Sequence, residues 1–174
     1  MGKTTVAKIV AEELGLNVVG GGDILKELAL ERGYRAVGDD WWDTPDGMEF
    51  LKTRESSDFD RQVDGRLLKK VESGDVVITS YTLPWLSERG TKVWLSGSSL
   101  SRAERMASRD GTSLASCIAI IGKRDEENFK LYKKLYGIEF GRDLAPFQLV
   151  VGTDGISAPH VALQVLDYIA ALGS

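Results

Sequence analysis

Residues 1–15 read MGKTTVAKIVAEELG. Val6, Ile9, Val10 and Leu14 recur at helical spacing and Gly15 ends the run, so the stretch predicts an amphipathic helix entered through Gly-Lys-Thr-Thr. A phosphate-binding loop has the form G-x-x-x-x-G-K-[ST]. Its backbone N–H groups wrap phosphates, its lysine reaches the outer ones and its hydroxyl holds magnesium. Gly2, Lys3 and Thr4 match the last three specified positions, and the amino terminus of the helix behind them favours anions. The alternative for so short a match is a surface lysine at a helix start. The order of elements behind it decides between the two.

Those elements alternate. A short apolar run, Leu16–Val19, leads into Gly20-Gly21-Gly22-Asp23 and then a helix carrying Ile24, Leu25 and Leu28 on one face, with Gly33 as its stop. Residues 37–47 (VGDDWWDTPDG) read as a loop, and 47–55 and 58–73 as helices. Asp75–Ser80 is β-branched and apolar, the composition of a buried strand. Lys92–Leu95 is another strand, 99–109 and 114–136 are helices, 147–151 is the final strand, and 158–172 is a closing amphipathic helix. Strands alternating with helices predict a three-layer α/β protein, a parallel sheet flanked by helices. Ligand loops then lie at the carboxyl ends of the strands: Gly22-Asp23, Ser80-Tyr81, Ser96-Gly97-Ser98 and Thr153-Asp154.

Composition narrows the function. The 174 residues are 43% hydrophobic and 28% charged, an ordinary globular balance. A net charge of −4 supplies no general field for nucleic acid or anionic membrane, so any phosphate site must rest on local basic groups. One cysteine, Cys117, and one histidine, His160, argue against disulfides, histidine-rich metal sites and a Ser-His-Asp triad. Cys117 reads as core and His160 as a surface or capping residue. No apolar run approaches a membrane span and no signal peptide is evident, so the expectation is a cytoplasmic protein.

Taken in order, GKTTVAKIVAEELGL, GGDILKELALERG, FDRQVD, VWLSGSSLSRAERMASRDG, KRDEENFKLYKKLYGIEF and PFQLVVGTD resemble the archaeal-type cytidylate kinases, within the P-loop nucleoside monophosphate kinases. The resemblance covers nearly the whole chain, as one kinase-like domain over 1–174. It implies an acceptor-binding insertion at 34–73 and a lid at 109–124. It also implies phosphoryl transfer from ATP, with Mg2+, to CMP or dCMP. Gly2, Lys3, Thr4 and Thr5 would hold ATP, with Lys3 neutralising its outer phosphates and Thr4 ligating the magnesium. Small-molecule nucleotides are then the partners, with no nucleic acid or membrane, and the protein is expected to be a monomer.

Arg102, Arg105 and Arg109 lie at i, i+3, i+7 on one helix, hence on roughly one face, and Arg124 lies on the next. The resemblance makes Arg105, Arg109 and Arg124 the catalytic cations of the lid, where the planar guanidinium fork suits phosphate oxygens. A solvated arginine beside Glu104 or Asp125 is the plainer reading of each. On the acceptor side, Asp60 and Asp64 lie one turn apart and Arg61 could pair with Asp64. In the family this helix helps to hold the monophosphate; otherwise it is a solvated face. Asp23 would either face the acceptor or cap the helix at Ile24.

Three features depart from the family pattern. Where an acidic residue and an arginine normally follow the third strand, this chain has Ser80-Tyr81-Thr82-Leu83-Pro84-Trp85, which leaves Arg54 as the candidate for the acceptor phosphate. Trp41 and Trp42 stand among Asp39, Asp40 and Asp43, as a base-stacking platform or as packing of the loop. The family's first strand, central between the third and fourth, would precede Met1. Losing about five buried apolar side chains costs roughly 10 kcal/mol, comparable with the ~5–15 kcal/mol of a whole domain. The expectation is therefore that Met1 is an internal methionine, preceded by roughly ten residues of strand and loop. Two other functions stay open at this point: a P-loop kinase for another small acceptor, and a nucleotide-binding protein without turnover.

Overall fold

The computed structural model describes residues 2–36, 50 and 57–173. Among them the chain order is α1 (Lys3–Leu14), β1 (Asn17–Gly20), α2 (Gly21–Glu31), α3 (Ser57–Ser73), β2 (Val76–Thr79), α4 (Leu83–Leu86), β3 (Val93–Ser96), α5 (Ser99–Asp110), α6 (Leu114–Tyr136), β4 (Leu149–Gly152) and α7 (Ala158–Leu172). The expected α/β alternation is present and every strand pairing is parallel. The expected single sheet is not formed by the described strands. They make two separate pairs, β1–β2 and β3–β4. The three-layer arrangement is thus seen only in its parts. The expected loop at 37–47 and helix at 47–55 lie outside the described residues, apart from Phe50.

The chain divides into two compact units, Leu16–Arg89 and Met1–Gly15 with Gly90–Ser174. In the first, β1 and β2 pair in register from Asn17↔Val76 to Gly20↔Thr79. A Cβ on Gly20 would come within 2.8 Å of Thr79 Oγ1, so a side chain there would force that hydroxyl to move. The core gathers Ile24, Leu25 and Leu28 of α2, Phe59, Val63 and Leu67 of α3, and Phe50 and Leu83. Phe50 meets both Tyr34 and Phe59 edge to face, a favoured ring geometry. At the surface Arg66 of α3 spans to Glu27 and Glu31 of α2.

In the second unit, β3 and β4 pair from Val93↔Leu149 to Ser96↔Gly152. Trp94 of β3 stacks edge to face on Phe140 and Phe147. Helix α1 buries Val6, Ala7, Val10 and Ala11, and packs on α7, which buries Val161, Ala162 and Val165. Helices α5 and α6 form an antiparallel hairpin through the turn Gly111–Ser113, with Gly111 left-handed at φ 65°. The seam of this hairpin is thin: Ala103, Cys117 and Ile121 are buried, with Met106 and Ala107 partly so. Cys117 is core, as its sequence context predicts. His160 Nδ1 lies 2.7 Å from Oγ of Ser157 at the start of α7, in agreement with the expected capping position.

Candidate functional site

Gly2 adopts the left-handed conformation (φ 66°, ψ 20°) and turns the chain into α1; Val6 N–H donates to its carbonyl at 3.0 Å. No side chain caps this helix and no acidic residue stands in its first turn. Its leading N–H groups therefore keep their affinity for an anion. Thr4 and Thr5 are exposed and Lys3 is half-buried. Gly2, Lys3, Thr4 and Thr5 thus form a helix entry with no side-chain cap, its two threonines facing outward.

Arg102, Arg105 and Arg109 do not share one environment, although their spacing puts them on one face. Arg105 turns to the carboxyl ends of β3 and β4. Its Nη1 donates to Ser101 Oγ at 2.9 Å and to the Thr153 carbonyl at 3.3 Å. Its Nε is buried without a hydrogen-bond partner among the described residues. Thr153 Oγ1 donates to the Ser96 carbonyl at 2.8 Å, and a Cβ on Gly97 would come within 2.8 Å of that hydroxyl. Asp154 accepts from Ser98 N–H at 3.0 and 3.1 Å. Ser98 Oγ in turn accepts from Ser101 N–H, capping α5. Hydrogen bonds from Ser98, backbone first, hold the Asp154 carboxyl below its ordinary range, with help from the Arg105 charge.

Arg109, at the exposed tip of α5, clasps its neighbour Asp110 through Nε and Nη2 at 2.5 and 2.9 Å. That contact raises the Arg109 pKa and lowers that of Asp110. Arg124 is exposed on α6 and adds a further positive field at Asp110. Arg102 reaches across to α6 and grips Asp125 with both nitrogens, at 2.7 and 2.8 Å. Periodicity places Arg102, Arg105 and Arg109 together. It does not tell that three long side chains take three different partners.

The acceptor-side residues belong to the other unit. Asp23 accepts from Gly20 N–H at 2.7 Å, holding the entry to α2. The helix starts at Gly21 rather than Ile24, because a carboxylate at its third position compensates for the run of glycines. Asp60 and Asp64 are both buried, 8% and 7% exposed, which removes the reading of a solvated helix face. Thr82 Oγ1 donates to Asp64 at 2.5 Å. Ser80 Oγ accepts from the N–H groups of Thr82 and Leu83. The departure at Ser80–Pro84 is thus a turn stitched to α3 through Asp64. Arg61 is exposed. Arg54, Trp41 and Trp42 lie outside the described residues. Thr153, Asp154 and Ser98 were visible in the sequence only as small polar residues at strand ends. The rule that ligand loops follow parallel strands was the available signal.

Parallel strand pairs with helices springing from their carboxyl ends, and a Gly-Lys-Thr helix entry, define an α/β protein with kinase-like topology. A crystal structure of a protein from Eubacterium ventriosum superimposes with a TM-score of 0.68 over 98% of this chain and 92% of that one; at 17% identity it speaks to fold alone. The chain belongs to the cytidylate kinase-like family, whose model matches residues 1–154. It is 34% identical to the cytidylate kinase of Pyrobaculum aerophilum over 170 residues, covering 96% of this chain and 86% of that one. It is 33% identical to the cytidylate kinase of Pyrococcus horikoshii over 181 residues, covering 99% and 88%.

Proposed function

We propose that this protein transfers a phosphoryl group from ATP to a nucleoside monophosphate, with CMP or dCMP as acceptor and CDP or dCDP as product. The observation that carries the reading is family membership over residues 1–154, joined to the uncapped Gly2-Lys3-Thr4-Thr5 entry of α1. An acceptor phosphate oxygen attacks the γ-phosphorus as its bond to the ADP oxygen breaks. Such a transfer calls for positioning and positive charge more than for covalent help.

In this reading Lys3 and the first N–H groups of α1 hold the outer phosphates. Arg105, Arg109 and Arg124 converge on them from a lid spanning 109–124, and Arg109 exchanges Asp110 for a phosphate oxygen. Asp23, Arg54, Asp60, Arg61 and Asp64 serve the acceptor, within an insertion at 34–73. Among the described residues no group of three or more His, Cys, Asp or Glu side chains could hold a metal. Thr4 fits magnesium in another way, as one oxygen ligand for an ion that arrives on the nucleotide phosphates. The ion would neutralise their charge. No described helix is long and apolar enough to cross a membrane, and a monomeric cytoplasmic enzyme is the setting this reading assumes.

A second acceptor class is favoured by one observation: Asp64 is already engaged by Thr82, and Ser80-Tyr81 stands where the family carries an acid and an arginine. An ADP-release assay over a panel of monophosphates separates the possibilities. Turnover with CMP and dCMP is the expected result. Turnover with another acceptor alone selects the second class, and ATP binding without turnover selects a binding protein. Lys3→Ala is expected to lower kcat by roughly 100-fold or more; unchanged turnover removes Lys3 from its role.

A further inference from the structure

The α5–α6 hairpin carries all three lid arginines, yet its apolar seam is only Ala103, Cys117 and Ile121, with Met106 and Ala107 partly buried. So short a seam specifies helix register weakly, since few side chains interlock. A one-turn slip, about 5.4 Å, would carry Arg124 past its targets. Arg102 and Asp125 counter that slip. Nη1 and Nη2 of Arg102 donate to the two carboxylate oxygens at 2.8 and 2.7 Å, a fork that fixes distance and plane together. The Arg102 side chain is only 19% exposed. Among the described residues no other ion pair joins α5 to α6. Lys123–Glu127 and Lys130–Glu126 lie within α6 and are well exposed, where such pairs contribute little.

Asp125 directly follows Arg124, so pinning it against α5 sets the direction of Arg124 about 100° round the helix. Arg102 stands one turn before Arg105 on the same helix. We infer that Arg102 and Asp125 are a positioning pair: touching no phosphate themselves, they hold the two lid helices in the phase that lets Arg105, Arg109 and Arg124 meet one triphosphate. This rests on the proposed function for the triphosphate as ATP and for the three arginines as the groups that meet it.

The test is titration of the full chain with magnesium and a non-hydrolysable ATP analogue, and separately with CMP, alongside steady-state turnover. Asp125→Asn keeps the shape and loses the charge; Arg102→Lys keeps the charge and loses the fork. Each is expected to raise the Kd for the analogue about tenfold and to leave the Kd for CMP unchanged. Amide exchange is expected to quicken through residues 114–128. The reciprocal exchange, Arg102→Asp with Asp125→Arg, is expected to recover most of the loss. Unchanged analogue affinity in both single variants overturns the inference. So does an equal loss for analogue and CMP, or a double variant no better than the singles. If Asp125→Asn fails to fold, Arg102→Lys carries the same comparison. A wild type that binds the analogue but turns over no monophosphate overturns the proposed function and leaves the positioning pair measurable. A wild type that binds no analogue overturns both.

Discussion

Helices α2 and α3 share a core of many large side chains, whereas α5 and α6 meet through a few apolar residues and a charge pair. In the first contact Phe59, Ile24 and Leu67, with Phe50 packed beside them, are all at or below 1% exposure. In the second the buried seam is Ala103, Cys117 and Ile121. Interlocked volume specifies one arrangement and resists opening; a thin seam opens at low free energy and relies on directional contacts for its register. The helices bearing Arg105, Arg109 and Arg124 are of the second kind. In the proposed kinase such a segment would close over nucleotide and release it.

Truncation at each seam should separate the two contacts most widely. Phe59→Ala removes a ring packed against Phe50 and lying under the Arg32 guanidinium, and is expected to destabilise by about 3–5 kcal/mol. Ile121→Ala is expected to cost about 2 kcal/mol, the low end for such a truncation, because neighbours in a thin seam can collapse onto the gap. Urea titration followed by amide exchange reads each effect in its own unit. Equal losses at the two positions would break the comparison. Thr82→Val tests the polar counterpart on the stiffer side. It removes the hydroxyl that donates to buried Asp64 and is expected to cost about 1.5–3 kcal/mol, as for a hydrogen bond to a charged group. An effect near zero would mean that Asp64 is held by other groups and that the Ser80–Pro84 turn is not fastened through it.

The sequence made elements legible where punctuation was strong. Ser98, Ser113 and Ser157 stand before α5, α6 and α7, and Gly111 and Gly137 close the first two; the expected and observed spans agree to within a residue. Strand β2 was readable from Val76-Val77-Ile78-Thr79 alone. Sheet continuity was not readable, because strand propensity says nothing about which edges are paired. Nor was the burial of Asp60 and Asp64. Phe59, Val63 and Leu67 mark the apolar stripe of α3, but periodicity gives the direction of a stripe and not its width. Asp60 and Asp64 adjoin that stripe at the same spacing and are covered with it. The arginines show the same limit at longer reach. Their flexible stems erase the information that backbone spacing carries, so partner choice depends on where Thr153, Asp125 and Asp110 happen to stand.

The smallest effect is expected at Asp154, where the thin-seamed hairpin is fastened to the end of β4. Its carboxylate accepts from Ser98 N–H at the amino terminus of α5, where a negative charge also meets the positive end of the helix dipole. Because those contacts lower its pKa from the ordinary 3.8, the folded chain binds this proton less readily than the unfolded chain. The stabilisation is then fully present above that ordinary value and is lost as pH falls through the lower folded one. Asp154→Asn should therefore be less stable than wild type at pH 7, and the gap should close below about pH 4. Thermal denaturation of both proteins between pH 7 and pH 3 reads the trend. A gap that stays constant over that range would mean that shape rather than charge fastens the strand end to α5.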